Sequence, residues 1–137
     1  MVILNTHIWV WWNHQDPKLA PIHRQVIDRN RNDGLGICTI TLIEIARLAQ
    51  QGRITLPLPL HQWFSIALAL EGVMLITITP SIAIDAVNLP GDFHKDPADR
   101  LIVATARSLD CPLITADRQI LNYPYVKLVS PEGSDIQ

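Results

Sequence analysis

Short, wholly apolar runs alternate with segments of helical periodicity along the whole chain. The runs predict β-strands over residues 2–4, 36–38, 73–78, 112–115 and 126–129, and apolar residues recur between them at helical spacing. Strands that alternate with helices are joined by right-handed crossovers and form a parallel sheet. Because the runs lack polar alternation, we expect a sheet buried on both faces. The pattern predicts an α/β fold of three layers, α/β/α, around a mostly parallel sheet.

The length of 137 residues suits one compact domain, which we place at residues 1–130. Residues 131–137 include Pro, Gly and Ser, so we expect a flexible C-terminal tail there. Hydrophobic residues make up 48% of the chain and charged residues only 18%, against roughly 25% in an average soluble protein, which excludes a disordered chain. Eleven basic and 13 acidic residues give a net charge of −2, so any nucleic-acid contact requires a local basic patch.

No apolar stretch approaches the ~20 residues of a membrane span, and the N-terminus lacks the basic start of a signal peptide. We therefore expect no membrane partner. The cysteines Cys38 and Cys111 are too few and too far apart for a disulfide framework or a clustered zinc site. Free thiols predict a protein of the reducing cytoplasm.

Several polar residues fall where a parallel sheet brings them to one edge. Asn5 ends the first strand and Asp117 ends the fourth, while Glu44 lies in the first turns of the helix after the second strand. Asp96 and Asp99 frame the start of the next long apolar helix. The carboxyl ends of parallel strands and the following helix N-termini share the edge where ligands usually bind. We therefore expect these side chains to converge from separate chain segments.

Carboxylates gathered in one crevice repel each other, and burial adds to the cost. A divalent cation removes this conflict, and oxygen ligands favour Mg²⁺ or Mn²⁺. Such an ion orients and activates water for attack on phosphorus. The acids therefore predict metal-dependent phosphodiester hydrolysis.

Helix capping is the alternative interpretation of the same acids. Asp96 stands before a proline at a helix start, and Asp99 suits the first helical turn. Thr41 and Glu44 have the spacing of a capping box, and Asp117 suits the cap of a short helix. Against capping alone, Glu44 lies between two isoleucines and all four acids map to one edge.

Four ordered pieces of sequence resemble the PIN-domain family, and within it the VapC-type ribonuclease toxins of type II toxin–antitoxin systems. They are VILNTHIWVWW, TLIEIARLAQQGRITLPLPLHQW, LITITPSIAIDAVNLPGDFHKDPADRLIVATA and LITAD, which together span residues 2 to about 129. The resemblance implies a three-layer nuclease domain that binds Mg²⁺ or Mn²⁺ and cuts RNA. It also implies a homodimer that is neutralised by a cognate, VapB-like antitoxin.

The family's catalytic positions map onto Asn5, Glu44, Asp99 and Asp117. Asn5, Asp99 and Asp117, together with Asp96, are the metal ligands that the resemblance implies. Near them lies Thr115, at a position where a hydroxyl commonly orients the site.

Asn5 departs from the family pattern, which has aspartate in an Asp-Thr-His triplet. An amide keeps the shape but removes one negative charge, so we expect weaker metal binding and the loss of a water-activating carboxylate. Deliberate inactivation, natural decay and a tolerated neutral ligand are the three explanations. Easier production of a disabled toxin favours the first.

Arg100 and Arg118 neighbour the acids, so they are candidates for holding RNA phosphates, with solvated surface charges as the alternative. Arg47 and Arg53 follow Glu44 and are candidates for an antitoxin carboxylate. The tryptophans at positions 9, 11 and 12 are expected to pack the first helix, with base stacking as the alternative.

The leading hypothesis is a metal-dependent endoribonuclease toxin that Asn5 weakens or inactivates. A non-catalytic binding module with the same fold is the alternative from another class, and a metal-dependent DNA nuclease is the third hypothesis. Restoring Asn5→Asp separates the first two, because only a disabled enzyme regains cleavage.

Overall fold

The computed structural model describes residues 1–132, so most of the predicted tail lies outside the described residues. A five-stranded sheet forms its centre, and every strand pairing is parallel. The strands are β1 (Val2–Leu4), β2 (Leu35–Cys38), β3 (Val73–Ile76), β4 (Leu113–Ile114) and β5 (Leu128–Val129). The helices are α1 (Thr6–His14), α2 (Pro21–Arg29), α3 (Ile40–Gln50), α4 (Leu60–Ala69), α5 (Pro80–Val87), α6 (Pro97–Leu109) and α7 (Arg118–Leu121).

Successive strand residues feed two separate hydrophobic cores, one on each face of the sheet. In β1, Val2 and Leu4 join a cluster with α1 to α4, whereas Ile3 joins a cluster with α6 and α7. In β5, Val129 and Leu128 divide between the clusters in the same way. This alternation follows from the two-residue period of a strand. The predicted three-layer α/β/α architecture is confirmed.

The strand order, β3-β2-β1-β4-β5, places the chain's change of direction between β1 and β4. After β1 the chain builds the sheet outward through β2 and β3, and then returns to add β4 and β5 on the other side of β1. Such a point opens a crevice at the carboxyl ends of the strands, where ligands bind in open α/β sheets.

Burial of every strand was expected, but for β3 this prediction is wrong. Met74 is 45% exposed and Leu75 is 42% exposed, because β3 is an edge strand with a neighbour on one side only. A continuous apolar run does not distinguish an edge strand from a central one. The other four strands are fully buried.

Two tryptophans of α1, Trp9 and Trp12, pack against neighbouring helices. Trp9 is fully buried and packs edge-on against Trp63 of α4, with 5.3 Å between ring centroids. Trp12 is also buried, and its indole nitrogen donates to Asp28 of α2 at 3.2 Å. These two rings attach α1 to its neighbouring helices, as expected. Within residues 1–132, no helix is long and apolar enough to cross a membrane.

Candidate active site

A cavity of about 390 Å³ lies at the carboxyl edge of the sheet, over the crevice between β1 and β4. Residues that are far apart in the sequence lie together in its wall. All five predicted polar residues line it: Asn5, Glu44, Asp96, Asp99 and Asp117. They come from the ends of β1 and β4 and from the first turns of α3 and α6.

Next to the cavity lies a layer of buried polar side chains, which we call the floor: Asn5, which lines the cavity itself, and Thr6, Thr41 and Thr115, which do not line it. The Asn5 amide nitrogen donates to Thr115 Oγ1 at 2.7 Å, which links the end of β1 to the end of β4. The hydroxyls of Thr6 and Thr41 lie 3.0 Å apart, and Thr6 also donates to the Glu44 carboxylate. The floor therefore joins three chain segments through neutral groups that are hydrogen-bonded to each other.

The hydrogen bonds fix the orientation of the Asn5 side chain. Its Oδ1 accepts the backbone N–H of Thr6 at 2.8 Å and thereby caps α1. Because a backbone N–H can only donate, the side-chain atom facing Thr6 must be the oxygen. The nitrogen therefore faces Thr115, and it cannot coordinate a cation. An aspartate would present a second oxygen at that place.

Glu44 does not take part in the predicted capping box, and that interpretation of residues 41–44 is wrong. Helix α3 begins at Ile40 with Thr39 as its N-cap, and no side chain caps it. Thr41 is already inside the helix and turns its hydroxyl to Thr6. Burial raises the pKa of Glu44, and the hydrogen bond from Thr6 partly offsets this increase. The carboxylate thus faces the cavity.

The rim of the cavity consists of the carboxylates of Asp96, Asp99 and Asp117. Asp96 caps α6, since its Oδ1 accepts the N–H groups of Ala98 and Asp99 at 2.9 and 3.2 Å. Asp117 caps α7 in the same way with its own Oδ1. Both capping predictions are confirmed. Each cap uses Oδ1 alone, which leaves the second oxygen of each carboxylate for another partner.

Asp99 carries the strongest electrostatic perturbation at this edge. Burial and the nearby carboxylates of Asp96, Asp117 and Glu44, in that order, raise its pKa to about 7. His94 Nε2 lies 3.2 Å from Asp99 Oδ2, but the two atoms are not aligned for a hydrogen bond. Three like charges around a half-buried acid leave excess negative potential in the cavity.

The donor set fits a hard divalent cation, because it consists of carboxylate oxygens whose mutual repulsion a cation would relieve. Within residues 1–132, however, no three His, Cys, Asp or Glu side chains are gathered closely enough to form a ready metal cluster. The acids line a common cavity without touching, as expected for carboxylates that repel each other.

Arg100 has partners that the sequence did not indicate. Its guanidinium donates to the backbone carbonyls of Ala86, Val87, Phe93 and His94 at 2.7–3.3 Å. It therefore ties the end of α5 and the loop before α6 to the body of the domain. Its donors face these carbonyls, so its position does not support a phosphate contact.

Arg118 and Thr115 are the two remaining site residues that the sequence predicted. Arg118 is exposed and lines a second cavity, which shares Ala116 with the acidic one. Thr115 accepts from the backbone N–H of Asp117 at 3.0 Å as well as from Asn5, so it positions both neighbours. This geometry agrees with an orienting role for its hydroxyl.

Several residues in or next to the cavity were not among the predicted site residues. Thr6 and Thr41 complete the floor, and nothing in their spacing distinguishes them from ordinary buried threonines. Leu48 lies four residues after Glu44, so helical periodicity provides a signal for it. Trp11 and His7 also line the cavity, with their rings 5.9 Å apart. Trp11 is thus the one tryptophan of α1 with access to a ligand in this cavity.

The chain belongs to the PIN-domain family, because the sequence model of the PIN domain matches residues 2–124. It is 39% identical over 129 residues to Ribonuclease VapC22 of Mycobacterium tuberculosis, covering 94% of this chain and 96% of that protein.

Solved structures show the same fold at low sequence identity. A toxin–antitoxin complex from Klebsiella pneumoniae contains a chain that is 21% identical, with a TM-score of 0.65 over 96% of this chain and 98% of that one. VapBC2 from Rickettsia felis, bound to a DNA fragment from its promoter, contains a chain that is 17% identical. Its TM-score is 0.69 over 94% of this chain and 98% of that one.

Proposed function

We propose that this chain is an endoribonuclease toxin that hydrolyses RNA phosphodiester bonds with a divalent metal ion, and that Asn5 weakens or disables it. The observation that carries the proposal is the convergence of Glu44, Asp96, Asp99 and Asp117 on one cavity at the carboxyl edge of the sheet. The 39% identity to Ribonuclease VapC22 supports RNA as the substrate.

Asp96, Asp99 and Asp117 are the residues that would hold the ion, through carboxylate oxygens that the helix caps leave available. Asn5 would contribute only through the remaining lone pair of Oδ1, because its nitrogen faces Thr115. Mg²⁺ is the expected ion, with Mn²⁺ as the alternative. When bound, such an ion supplies an activated water and stabilises the leaving oxygen.

Glu44 and the residue at position 5 are the groups that would accept the proton of the attacking water. Glu44 accepts a hydrogen bond from Thr6, and its raised pKa makes it a stronger proton acceptor than an ordinary glutamate. An aspartate at position 5 would face the same cavity with a charged oxygen. With asparagine, that position can accept no proton, so activity depends on Glu44 and the rim alone.

We also propose that a cognate antitoxin controls the chain, in the cytoplasm, as part of a toxin–antitoxin pair. Two of the structural neighbours are toxin–antitoxin assemblies, and the curated relative is a VapC ribonuclease. A homodimer is the expected assembly of the toxin.

RNA cleavage by this chain and by its Asn5→Asp variant tests the proposed function. Each protein is incubated with structured and unstructured RNA in Mg²⁺, in Mn²⁺ and with a chelator. We expect the aspartate variant to cut RNA, and the chelator to stop it. General acid–base groups contribute about 10²–10⁴-fold, so the asparagine form should be slower by a factor in this range.

Two matched variants complete the experiment. Asp99→Asn in the Asn5→Asp background should reduce cutting by about 100-fold or more. Asp33→Asn, which removes an exposed acid outside the cavity, should leave cutting unchanged. Equal cutting by the asparagine and aspartate forms would mean that a neutral residue is tolerated at position 5. Absence of cutting in every form would favour a non-catalytic binding module, and cutting of DNA alone would favour a DNA nuclease.

A further inference from the structure

The acidic cavity adjoins a second cavity of about 400 Å³ along α3, which we call the α3 branch. The two share the lining residues Glu44, Leu48, Arg53 and Asp96, and we call the two together the groove. The branch itself is lined by Ile43, Arg47, Gln51 and Arg53. Its volume lies within the range of about 300–1,000 Å³ that is usual for ligand pockets.

Two arginines give the α3 branch a positive character next to the acids. Arg47 follows Glu44 by three residues, so both side chains lie on the same face of α3. The positive charge of Arg47 acts on the site: burial raises the pKa of Glu44, and Arg47 offsets part of this rise. Both Arg47 and Arg53 are exposed, and neither guanidinium has a hydrogen bond or ion pair within residues 1–132.

Arg53 is directed back to the groove by the end of α3. The N–H of Arg53 donates to the carbonyl of Leu48 at 2.9 Å, and the N–H of Gly52 donates to Ala49 at 3.1 Å. Gly52 has φ +69°, in the left-handed region that glycine tolerates best. This is the hydrogen-bond pattern of a Schellman motif, which reverses the chain over the last helical turn. Arg53 thereby borders both cavities.

Three other arginines of the chain already have partners within it. Arg100 donates to backbone carbonyls, and Arg107 pairs with Asp85 at 2.9 Å. Arg31 donates to the carbonyl of Glu71. The guanidinium groups in the α3 branch are thus available for an anion from outside the chain.

We propose that Arg47 and Arg53 form a phosphate subsite in the α3 branch, which holds the single-stranded RNA segment on one side of the bond being cut. The proposal rests on the proposed function, because a scissile phosphate in the acidic cavity places neighbouring phosphates in the adjoining groove. Ile43, 54% exposed in the same branch, offers an apolar contact to a base or ribose. The subsite binds backbone phosphates, so it adds affinity without reading sequence.

Salt dependence of RNA binding tests the subsite. The chain with Asn5 is titrated with a fluorescent single-stranded RNA of roughly 12 nucleotides, in a chelator and at KCl between about 50 and 200 mM, and RNA integrity is checked after each titration. Each phosphate contact to a single strand contributes about 0.7 to the slope of log K against log salt. Arg47→Gln with Arg53→Gln should therefore reduce the magnitude of that slope by about 1.4.

Arg24→Gln with Arg29→Gln is the matched control, since it removes two α2 arginines that line neither cavity and should leave the slope unchanged. Arg47→Lys with Arg53→Lys keeps the charge and should retain most of the slope. Thermal unfolding of each variant verifies folding. If the glutamine pair misfolds, the two single substitutions, each expected to lower the slope by about 0.7, replace it.

An unchanged slope in the Arg47/Arg53 glutamine variant would overturn the subsite. If that variant keeps the salt slope of RNA binding but no longer binds a poly-glutamate peptide, the α3 branch binds an acidic protein partner and not RNA, and the proposal is wrong. If Asn5→Asp cuts RNA while the slope is unchanged, the subsite fails and the proposed function stands. If no form of the chain binds or cuts RNA, both proposals fail together.

Discussion

The floor and the rim of the cavity differ in their burial and in their charge. The floor, Asn5, Thr6, Thr41 and Thr115, is buried and neutral, and its side chains bond to one another. The rim carboxylates are partly exposed, and their negative charges oppose each other. Buried polar groups that are satisfied stabilise a fold, whereas like charges held together destabilise it unless a cation joins them. We therefore expect the floor to contribute stability, and the rim is the proposed cation site.

The largest effect should follow from removing a rim charge where catalysis is intact. In the Asn5→Asp background, Asp99→Asn should reduce the rate of RNA cleavage by about 100-fold or more, because it removes an acid at the centre of the site. Initial rates in Mg²⁺ measure this. A variant that keeps more than about a tenth of the parent rate would show that Asp99 is not needed for the chemistry.

The second prediction concerns the pH dependence of stability in chelator. The pKa of Asp99 is raised to about 7 in the folded chain, from 3.8 as a free group, so the folded state binds the proton more tightly. This contribution is fully present below pH 3.8 and is lost as the pH rises through 7. Asp99→Asn should therefore raise the free energy of unfolding more at pH 8 than at pH 5.

Urea unfolding at the two pH values measures this difference, and Asp33→Asn, which removes an exposed acid, is the control. An equal change at pH 5 and pH 8 would contradict the electrostatic account of the rim.

A substitution in the floor should lower the free energy of unfolding. Thr115→Val removes the acceptor of the Asn5 amide and leaves a buried donor without a partner, which costs about 1–3 kcal/mol. Thr105→Val is the matched control: the hydroxyl of this buried threonine donates to the carbonyl of Leu101 in its own helix and lies 3.4 Å from Cys38 Sγ, so its loss leaves no buried amide donor without a partner. Urea denaturation compares the two, and equal losses would mean that the floor has no special role.

The smallest effect is expected outside both regions, at Arg100. Arg100→Gln removes hydrogen bonds to carbonyls between α5 and α6, some of which water can replace, so we expect a loss of about 1 kcal/mol. The salt dependence of RNA binding should not change, since these donors face the protein. A reduced slope would place Arg100 on the RNA path instead.

The sequence was sufficient to predict the sheet and the convergence of the acids. Parallel strands bring their carboxyl ends together whatever the details of packing, so Glu44, Asp99 and Asp117 could be placed at one edge from element order alone. The edge position of β3 was not predictable, because an apolar run has the same appearance at the centre and at the edge of a sheet.

The details of the site required coordinates. The interpretation of Thr41 and Glu44 as a capping box failed because it requires Thr41 to be the N-cap, whereas α3 already begins at Ile40. The sequence pattern is the same for either start of the helix. Arg100 directly follows Asp99 and bonds to nearby backbone carbonyls, whereas Arg53, nine residues after Glu44, borders the groove. Hydrogen-bond partners of long polar side chains depend on tertiary packing, which local pattern does not encode.

The effect of Mg²⁺ on thermal unfolding, measured in parallel on this chain and on Asn5→Asp, tests most directly whether the rim is a cation site that asparagine weakens. A ligand that binds only the folded state stabilises it by RT ln(1 + [L]/Kd), about 2.7 kcal/mol at 100 times Kd. The account predicts a clear Mg²⁺-dependent rise of the unfolding midpoint in Asn5→Asp and a smaller rise with Asn5. It would be contradicted if Mg²⁺ left the midpoint of the aspartate variant unchanged.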